Sequence, residues 1–293
     1  MTISSLFRLL RPYQWVKNLF VFIPVFFGGH LNDMGSMRCA LLSFIAFSLA
    51  APAIYCLNDI IDVDADRNHS VKCHRPIASG AVSIAQAYLM MTFMLLLSVV
   101  PLLLLGEGRV LTAVIIAGYV LINIAYCTKL KQYAILDVCI ISLGFVMRVM
   151  AGGVSTGIEP SKWLVLMTFL LALFLSLAKR RDDVLRMEVT GIAPRKNTHG
   201  YNLAFINQAI TVLASVMVVC YVMYTVSPEV TGRLHNDFVY LTCLPVVVGI
   251  LRYLQITLVF EQSGSPTRVM LRDRFMQSIT IVWLLAFGVI IYC

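Results

Sequence analysis

Between Asn58 and Asp66 the chain reads NDIIDVDAD, four carboxylates in nine residues, directly after an apolar run from Cys39 to Leu57. On a helix Asp59, Asp62 and Asp66 fall at i, i+3 and i+7, on one face, where like charges repel by roughly a few tenths of a kcal/mol per pair. So dense a negative face beside an apolar segment calls for a cation. A solvated helix start accounts for one or two aspartates, but it normally carries lysines four residues on. Carboxylate oxygens are hard ligands, and magnesium is held by one or two of them together with substrate phosphate oxygens. Asp59, Asp62 and Asp66 are therefore expected to hold Mg2+ and, through it, a diphosphate.

The elements that must position these residues are membrane helices. The 293 residues are 59% hydrophobic and 13% charged, with mean hydropathy +0.85, against about 25% charged in soluble domains. Apolar runs predict nine spans, near 15–31, 39–57, 84–105, 109–127, 133–152, 162–178, 204–226, 237–255 and 276–292. Threaded in order, they place nearly all Lys and Arg on one side and leave Arg38, Arg109, Lys162 and Arg233 on the other. That bias predicts a cytoplasmic N-terminus, with the long polar loops at 58–83 and 179–203 cytoplasmic as well. The net charge of +8 then sets orientation, and nucleic acid is not an expected partner. Met1 to Gln14 carries Arg8 and Arg11 without a small-residue cleavage site, so no removable signal peptide is expected. The chain reads as one transmembrane domain over 1–293, all-α, and self-association is left open.

Other residues have plainer readings beside the functional one. The eight cysteines lie mostly in apolar segments without ligand spacing and read as reduced, small hydrophobes. His69, Cys73 and His74 offer only three irregularly spaced candidates for zinc, which is not expected. Arg148 falls inside an apolar helix, where a charge costs at least about 2.5 kcal/mol near the bilayer centre. Partnership with another helix's carbonyls or a carboxylate is favoured there over substrate contact. Asp137 fits a helix-start acid or a cavity residue equally. Lys129 and Lys131 fit interfacial anchors, as do Arg252, Arg272 and Arg274, with polyanion contact second.

Asn58, Asp59, Asp62 and Asp66 together form an NDxxDxxxD signature that resembles the UbiA-type intramembrane prenyltransferases, and His74-Arg75-Pro76-Ile77-Ala78-Ser79-Gly80 looks like the segment that follows it there. The resemblance implies a helical bundle with a lateral, lipid-open groove for a polyprenyl chain, and a Mg2+-bound diphosphate at the motif. Arg67, Lys72 and Arg75 would then be phosphate partners. Aromatic prenyltransferases of this type generally carry a second DxxxD in the later loop. Here that loop reads AKRRDDVLRMEVTGIAPRKNTHGY, with Lys179, Arg180, Arg181, Arg195 and Lys196 around Asp182, Asp183 and Glu188. This pattern is similar to the decaprenyl-phosphate phosphoribosyltransferase branch. Further blocks agree: Lys17 within RPYQWVKNLFVF, Ala125-Tyr126-Cys127, the run Arg148 to Val154, Ser161-Lys162-Trp163, Lys179-Arg180, Glu188 with Thr190-Gly191, Ile250 to Tyr253 and Leu271 to Arg274.

That branch implies transfer of 5-phosphoribose from phosphoribosyl diphosphate (PRPP) to a polyprenyl phosphate, giving a lipid-linked pentose donor for cell-wall biosynthesis in a bacterial inner membrane. The substrate contacts it implies are Lys17, Asn58, Arg67, Lys72, Arg75, Tyr126, Lys129, Lys179, Arg180, Asp183, Glu188, Arg195 and Lys196. The other reading is transfer of a polyprenyl chain from its diphosphate to an aromatic acceptor, as in quinone or haem pathways.

Overall fold

Long apolar stretches fold as helices, because backbone groups inside a bilayer must be satisfied within the segment. The computed structural model describes residues 3–68, 72–191, 193–234, 236–262, 264 and 266–292. The chain divides into two compact units, Met1–Lys131 with Gly144–Pro160, and Gln132–Leu143 with Ser161–Cys293.

In the first unit α1 (Ile3–Leu10) leads into a 3-10 stretch, Pro12–Phe22, then α2 (Ile23–Phe27), α3 (Met34–Ile61), α4 (Val63–Arg67), α5 (Ile84–Leu103) and α6 (Arg109–Thr128). The second half of α7 (Leu136–Thr156) also belongs to it. Starts and stops follow local chemistry. Asp33 caps α3 through the Gly35 and Ser36 amides, and its carboxyl is held below the usual range chiefly by the Ser36 hydroxyl. Ser83 and Gln86 form a capping box at α5. Phe47, Ala50, Ala51, Ile116, Tyr119 and Ala151 form one buried core, and Leu9, Cys56, Ile60, Ile77 and Val82 a second beneath α1.

The second unit contains the start of α7, then α8 (Lys162–Thr190), a 3-10 turn Lys196–Gly200, α9 (Leu203–Val226), α10 (Pro228–Leu234), a 3-10 stretch Asp237–Thr242, α11 (Cys243–Leu258), α12 (Pro266–Arg272) and α13 (Arg274–Tyr292). Its core gathers Phe174, Ile206, Ile210, Met217, Tyr253 and Ile256.

Among the described residues eight helices are long and apolar enough to cross a membrane, one fewer than the nine expected. The missing one is the first. Residues 15–31 form no long α-helix, only the 3-10 stretch and the five-residue α2. Pro12 and Pro24 each open a segment, and the buried Asn18 side chain is tied sideways to Ser48 and Arg148. At about 2.0 Å rise per 3-10 residue and 1.5 Å per α residue the two still reach about 30 Å. They run from Arg11, at the C-terminal end of α3, towards Asp33 at its N-terminus.

Two helices exceed the roughly 30 Å that a hydrocarbon core requires. The 28 residues of α3 and 29 of α8 extend about 42 and 44 Å. Asn58 and Asp59 occupy the excess of α3, and Lys179 to Asp183 lie in the second half of α8.

Candidate active site

The aspartate motif does not form one continuous helical face. α3 ends at Ile61, Asp62 leaves helical geometry with φ −91° and ψ 6°, and α4 restarts at Val63. The physical reason is the one that made the motif conspicuous. Carboxylates at a helix C-terminus oppose the macrodipole and one another, and the chain breaks where external cations can reach each of them. Asp59 and Asp66 are buried, whereas Asp62 is half-buried.

Arg11 grips Asp59 with Nη2 at 2.5 Å from Oδ1 and 2.7 Å from Oδ2. Arg75 Nη1 bridges the motif, 3.1 Å from Asp59 Oδ1 and 2.7 Å from Asp66 Oδ2. Lys131 Nζ lies 2.6 Å from Asp62 Oδ1 and 3.4 Å from Asn58 Oδ1. Arg75 is set by the turn that RPIASG encodes: the Ser79 amide donates to its carbonyl, Val82 closes back on Pro76, and Gly80 takes φ +78°. Arg11 itself sits at φ 50°, ψ 58°, left-handed geometry that costs a non-glycine residue about 1 kcal/mol or more. Beside these residues lies a cavity of about 590 Å³ whose lining includes Arg8, Arg11, Tyr13, Lys72, His74 and Arg75. A space of that size falls in the range of small-molecule sites, and its charge fits an anion.

Of the other expected residues in this unit, Lys17 and Tyr126 are half-buried, Lys129 is exposed at the end of α6, and Arg67 is exposed, 3.3 Å from Asp64. Lys72 opens a short 3-10 turn and lines the cavity. His69 lies outside the described residues. Arg11 was visible in the sequence only as a loop charge, and Lys131 only as an anchor. Nothing in local spacing marks Arg11, which meets Asp59 across 48 residues.

The second unit holds its own polar cluster. Arg180, 2% exposed, lies between Asp137, with Nε 2.9 Å from Oδ2, and Asp183, which its Nη1 contacts. Arg195 Nε approaches the same Asp183 oxygen at 3.5 Å. Tyr201 donates its hydroxyl to Asp137 Oδ1 at 2.8 Å and accepts from the Ile135 amide at 2.6 Å. Burial pushes the Tyr201 phenol above its ordinary range, which keeps it a proton donor. Of its two open readings Asp137 takes the helix-start one, a first-turn acid of α7 fully enclosed against basic and hydroxyl partners. Asp183 pairs with Arg180 and Arg195, and Arg186 pairs instead with Asp182 at 3.0 Å. Arg181 is anchored to Asn207 at 2.9 Å and Glu261 at 3.4 Å. Lys179 and Glu188 lie on exposed positions of α8, and Lys196 opens the 3-10 turn with its side chain outside those described.

Arg148 is buried among neutral partners: Asn18 Oδ1 at 2.8 Å, the carbonyl of Gly144 on its own helix at 2.6 Å and the Tyr119 hydroxyl at 3.1 Å. The rings of Tyr119, Phe47 and Phe145 lie 4.8 to 5.5 Å from its guanidinium carbon. The partners are structural but not those expected: the main-chain carbonyl comes from within α7, and in place of a carboxylate stand the Asn18 amide and the Tyr119 hydroxyl. The seven described cysteines are all free.

Eight hydrophobic spans among the described residues, with a carboxylate cluster met by cations beside a basic cavity, define a polytopic membrane protein. Residues 21–279 match the model of the UbiA prenyltransferase family, and the chain belongs to that family of membrane transferases. It is 33% identical over 300 residues to the decaprenyl-phosphate phosphoribosyltransferase of Mycolicibacterium smegmatis, covering 99% of this chain and 93% of that one. The Mycobacterium tuberculosis protein of the same name is 32% identical over 290 residues, covering 98% and 94%. A UbiA homologue from Archaeoglobus fulgidus, solved bound to GPP and Mg2+, superposes with TM-score 0.72 at 19% identity over 99% of this chain and all of that one. The bundle of helices is therefore the UbiA fold.

Proposed function

We propose that this chain transfers 5-phosphoribose from PRPP to a polyprenyl phosphate, releasing pyrophosphate and forming polyprenyl-phosphoryl-5-phosphoribose. The observation that carries the reading is the second loop, which has no DxxxD and surrounds its carboxylates with Arg180, Arg195 and neighbouring cations, in a chain resembling phosphoribosyltransferases over nearly its whole length.

One oxygen of the lipid phosphate bonds to the anomeric carbon of the ribose as the bond from that carbon to the diphosphate oxygen breaks. A phosphate monoester has a second pKa of about 6, so the nucleophile is already ionised at neutral pH and needs no dedicated general base. The chain's task is to hold two polyanions together away from water. In this reading Arg11, Arg75 and Lys131 take phosphate oxygens when the carboxylates they now neutralise receive another cation, and Lys72 does so from the cavity lining.

Among the described residues no three His, Cys, Asp or Glu side chains form a ready metal cage. The donor set suits magnesium, which takes one or two carboxylates and completes its shell from substrate and water. Asp59, Asp62 and Asp66 would hold the ion, and it would offset charge building on the leaving group. Support for Mg2+ comes from the Mg2+-bound archaeal homologue. The bias of Lys and Arg supports a cytoplasmic N-terminus and active site in a bacterial inner membrane.

The test is incubation of purified protein in lipid with Mg2+, radiolabelled PRPP and polyprenyl phosphate, following label into organic-extractable lipid. Labelled lipid that vanishes with EDTA and with Asp62→Asn is the expected result. No label across several chain lengths, with folded protein, would turn the assignment to transfer of a prenyl chain to an aromatic acceptor.

A further inference from the structure

Arg195 and Tyr201 flank five residues whose main chain is firmly held. Arg195 reaches Asp183, the Thr198 amide bonds the Arg195 carbonyl at 3.1 Å, and the Tyr201 amide bonds the Thr198 carbonyl at 3.1 Å. The Tyr201 hydroxyl is locked between Asp137 and Ile135, and Gly200 is packed so closely that a Cβ there would lie 2.7 Å from that of Ala134. Inside this anchored turn Asn197 is 3% and Thr198 1% exposed. Among the described residues Asn197 Nδ2, Asn197 Oδ1 and Thr198 Oγ1 have no hydrogen-bond partner in the protein.

Buried polar side-chain atoms are nearly always paired, and an unpaired one costs stability. Other orphan hydroxyls, such as Thr112 and Thr257, sit in helices where rotation can reach the carbonyl four residues back. Asn197 has no such remedy, and among the described residues it is the one buried side chain with both ends of its amide unpaired. A rigid turn that encloses a complete amide and an adjacent hydroxyl has given up stability at that spot.

We propose that the turn Lys196–Gly200 is a sugar-recognition element in which Asn197 and Thr198 bind the vicinal hydroxyls of a pentose 5-phosphate. This rests on the reading that the donor is PRPP. An amide offers donors and an acceptor and a threonine hydroxyl offers both. Phosphate oxygens only accept at neutral pH and would leave Asn197 Oδ1 unsatisfied, whereas a diol matches both. The two arginines beside the turn are already matched to carboxylates, Arg180 to Asp137 and Asp183 and Arg195 to Asp183. The turn's solvent edge is marked by His199 and Gly200, both exposed, with Arg195 35% exposed on its side chain beside them.

The experiment uses the full-length protein in lipid, with Asn197→Leu and Thr198→Val, which remove the polar atoms and keep the volume. The KM for PRPP is expected to rise roughly tenfold or more in each, the KM for polyprenyl phosphate to stay level, and the unfolding temperature without substrate to stay level or rise. Binding of ribose 5-phosphate alone is expected to weaken by a similar factor. A 2-deoxy or 3-deoxy analogue of PRPP should discriminate strongly in the wild type and little in Asn197→Leu. A fall in unfolding temperature with both KM values unchanged would mean that the side chains are bridged by structural water, and would overturn the proposal. Loss of ribose 5-phosphate binding in Asn197→Leu without PRPP turnover in the wild type would sink the transfer reaction and keep the sugar site. PRPP turnover equal in all three proteins would do the reverse.

Discussion

Arg11 holds both oxygens of a carboxylate that is 1% exposed, from a backbone conformation unfavourable to it. Asp59 therefore carries its counter-charge before any ligand arrives, supplied by Arg11 and Arg75. Replacing Arg11 with Gln leaves Asp59 only its bridge to Arg75, and stability should fall by about 1–3 kcal/mol, below the full cost of breaking a buried pair because Arg75 remains. Added Mg2+ should raise the unfolding temperature of this variant more than that of the wild type, by mass action at a carboxylate freed of its competitor. Thermal unfolding with and without Mg2+ decides it, and equal Mg2+ responses would count against Asp59 as a ligand. Arg148 is a different kind of cation, held by a planar fork of neutral acceptors and three aromatic faces. Lysine cannot reproduce that fork. Arg148→Lys should lose about 2–3 kcal/mol, close to the loss in Arg148→Met, measured as unfolding in detergent. Rescue by lysine would show that charge alone matters.

At the scale of elements, Gly152 lets α7 approach the backbone of the 3-10 stretch, since a Cβ there would lie 1.9 Å from the Val21 carbonyl oxygen. That partner is main chain and cannot swing away. Gly152→Ala should cost about 1–3 kcal/mol or more, whereas Gly288→Ala, with nothing within 4 Å, should be neutral or gain up to about 1 kcal/mol from helix propensity. Differential scanning of the two variants is the check. Tyr201 ties the start of α7 to the second loop with a phenol whose burial raises its pKa. A raised folded pKa contributes stability that is intact below the unfolded value, about 10, and is lost as pH rises beyond it. Tyr201→Phe should be less stable at pH 7 by about 1–2 kcal/mol, and its stability should fall less steeply above about pH 10. An unchanged alkaline slope would argue that Tyr201 is not the titrating group.

Over the whole molecule, the proposed cytoplasmic N-terminus rests on which loops carry the cations. In a cysteine-free background, Glu188→Cys should react with an impermeant maleimide only in inside-out vesicles and Glu159→Cys only from the outer face, both positions being exposed. The opposite pattern would reverse the topology and move the aspartate motif out of the cytoplasm.

The sequence by itself determined the membrane class, the approximate place of eight helices, the aspartate motif and the second basic loop. Each depends on chemistry local to a stretch of about twenty residues: hydropathy, like charge, or a turn such as RPIASG. The tertiary structure alone decided the form of the first span, where Pro12 and Pro24 and the sideways bonds of Asn18 displaced an α-helix. It also decided that the aspartate face breaks at Asp62, and that Arg11, Arg75 and Lys131 divide the carboxylates among them. Which cation meets which aspartate depends on how segments 48 or 69 residues apart pack. The pairing of Asp137 with Arg180, and the unpaired amide of Asn197, have the same origin. Hydrophobic patterning places helices because it acts along the chain, while a polar partnership forms only where folding brings two distant side chains together.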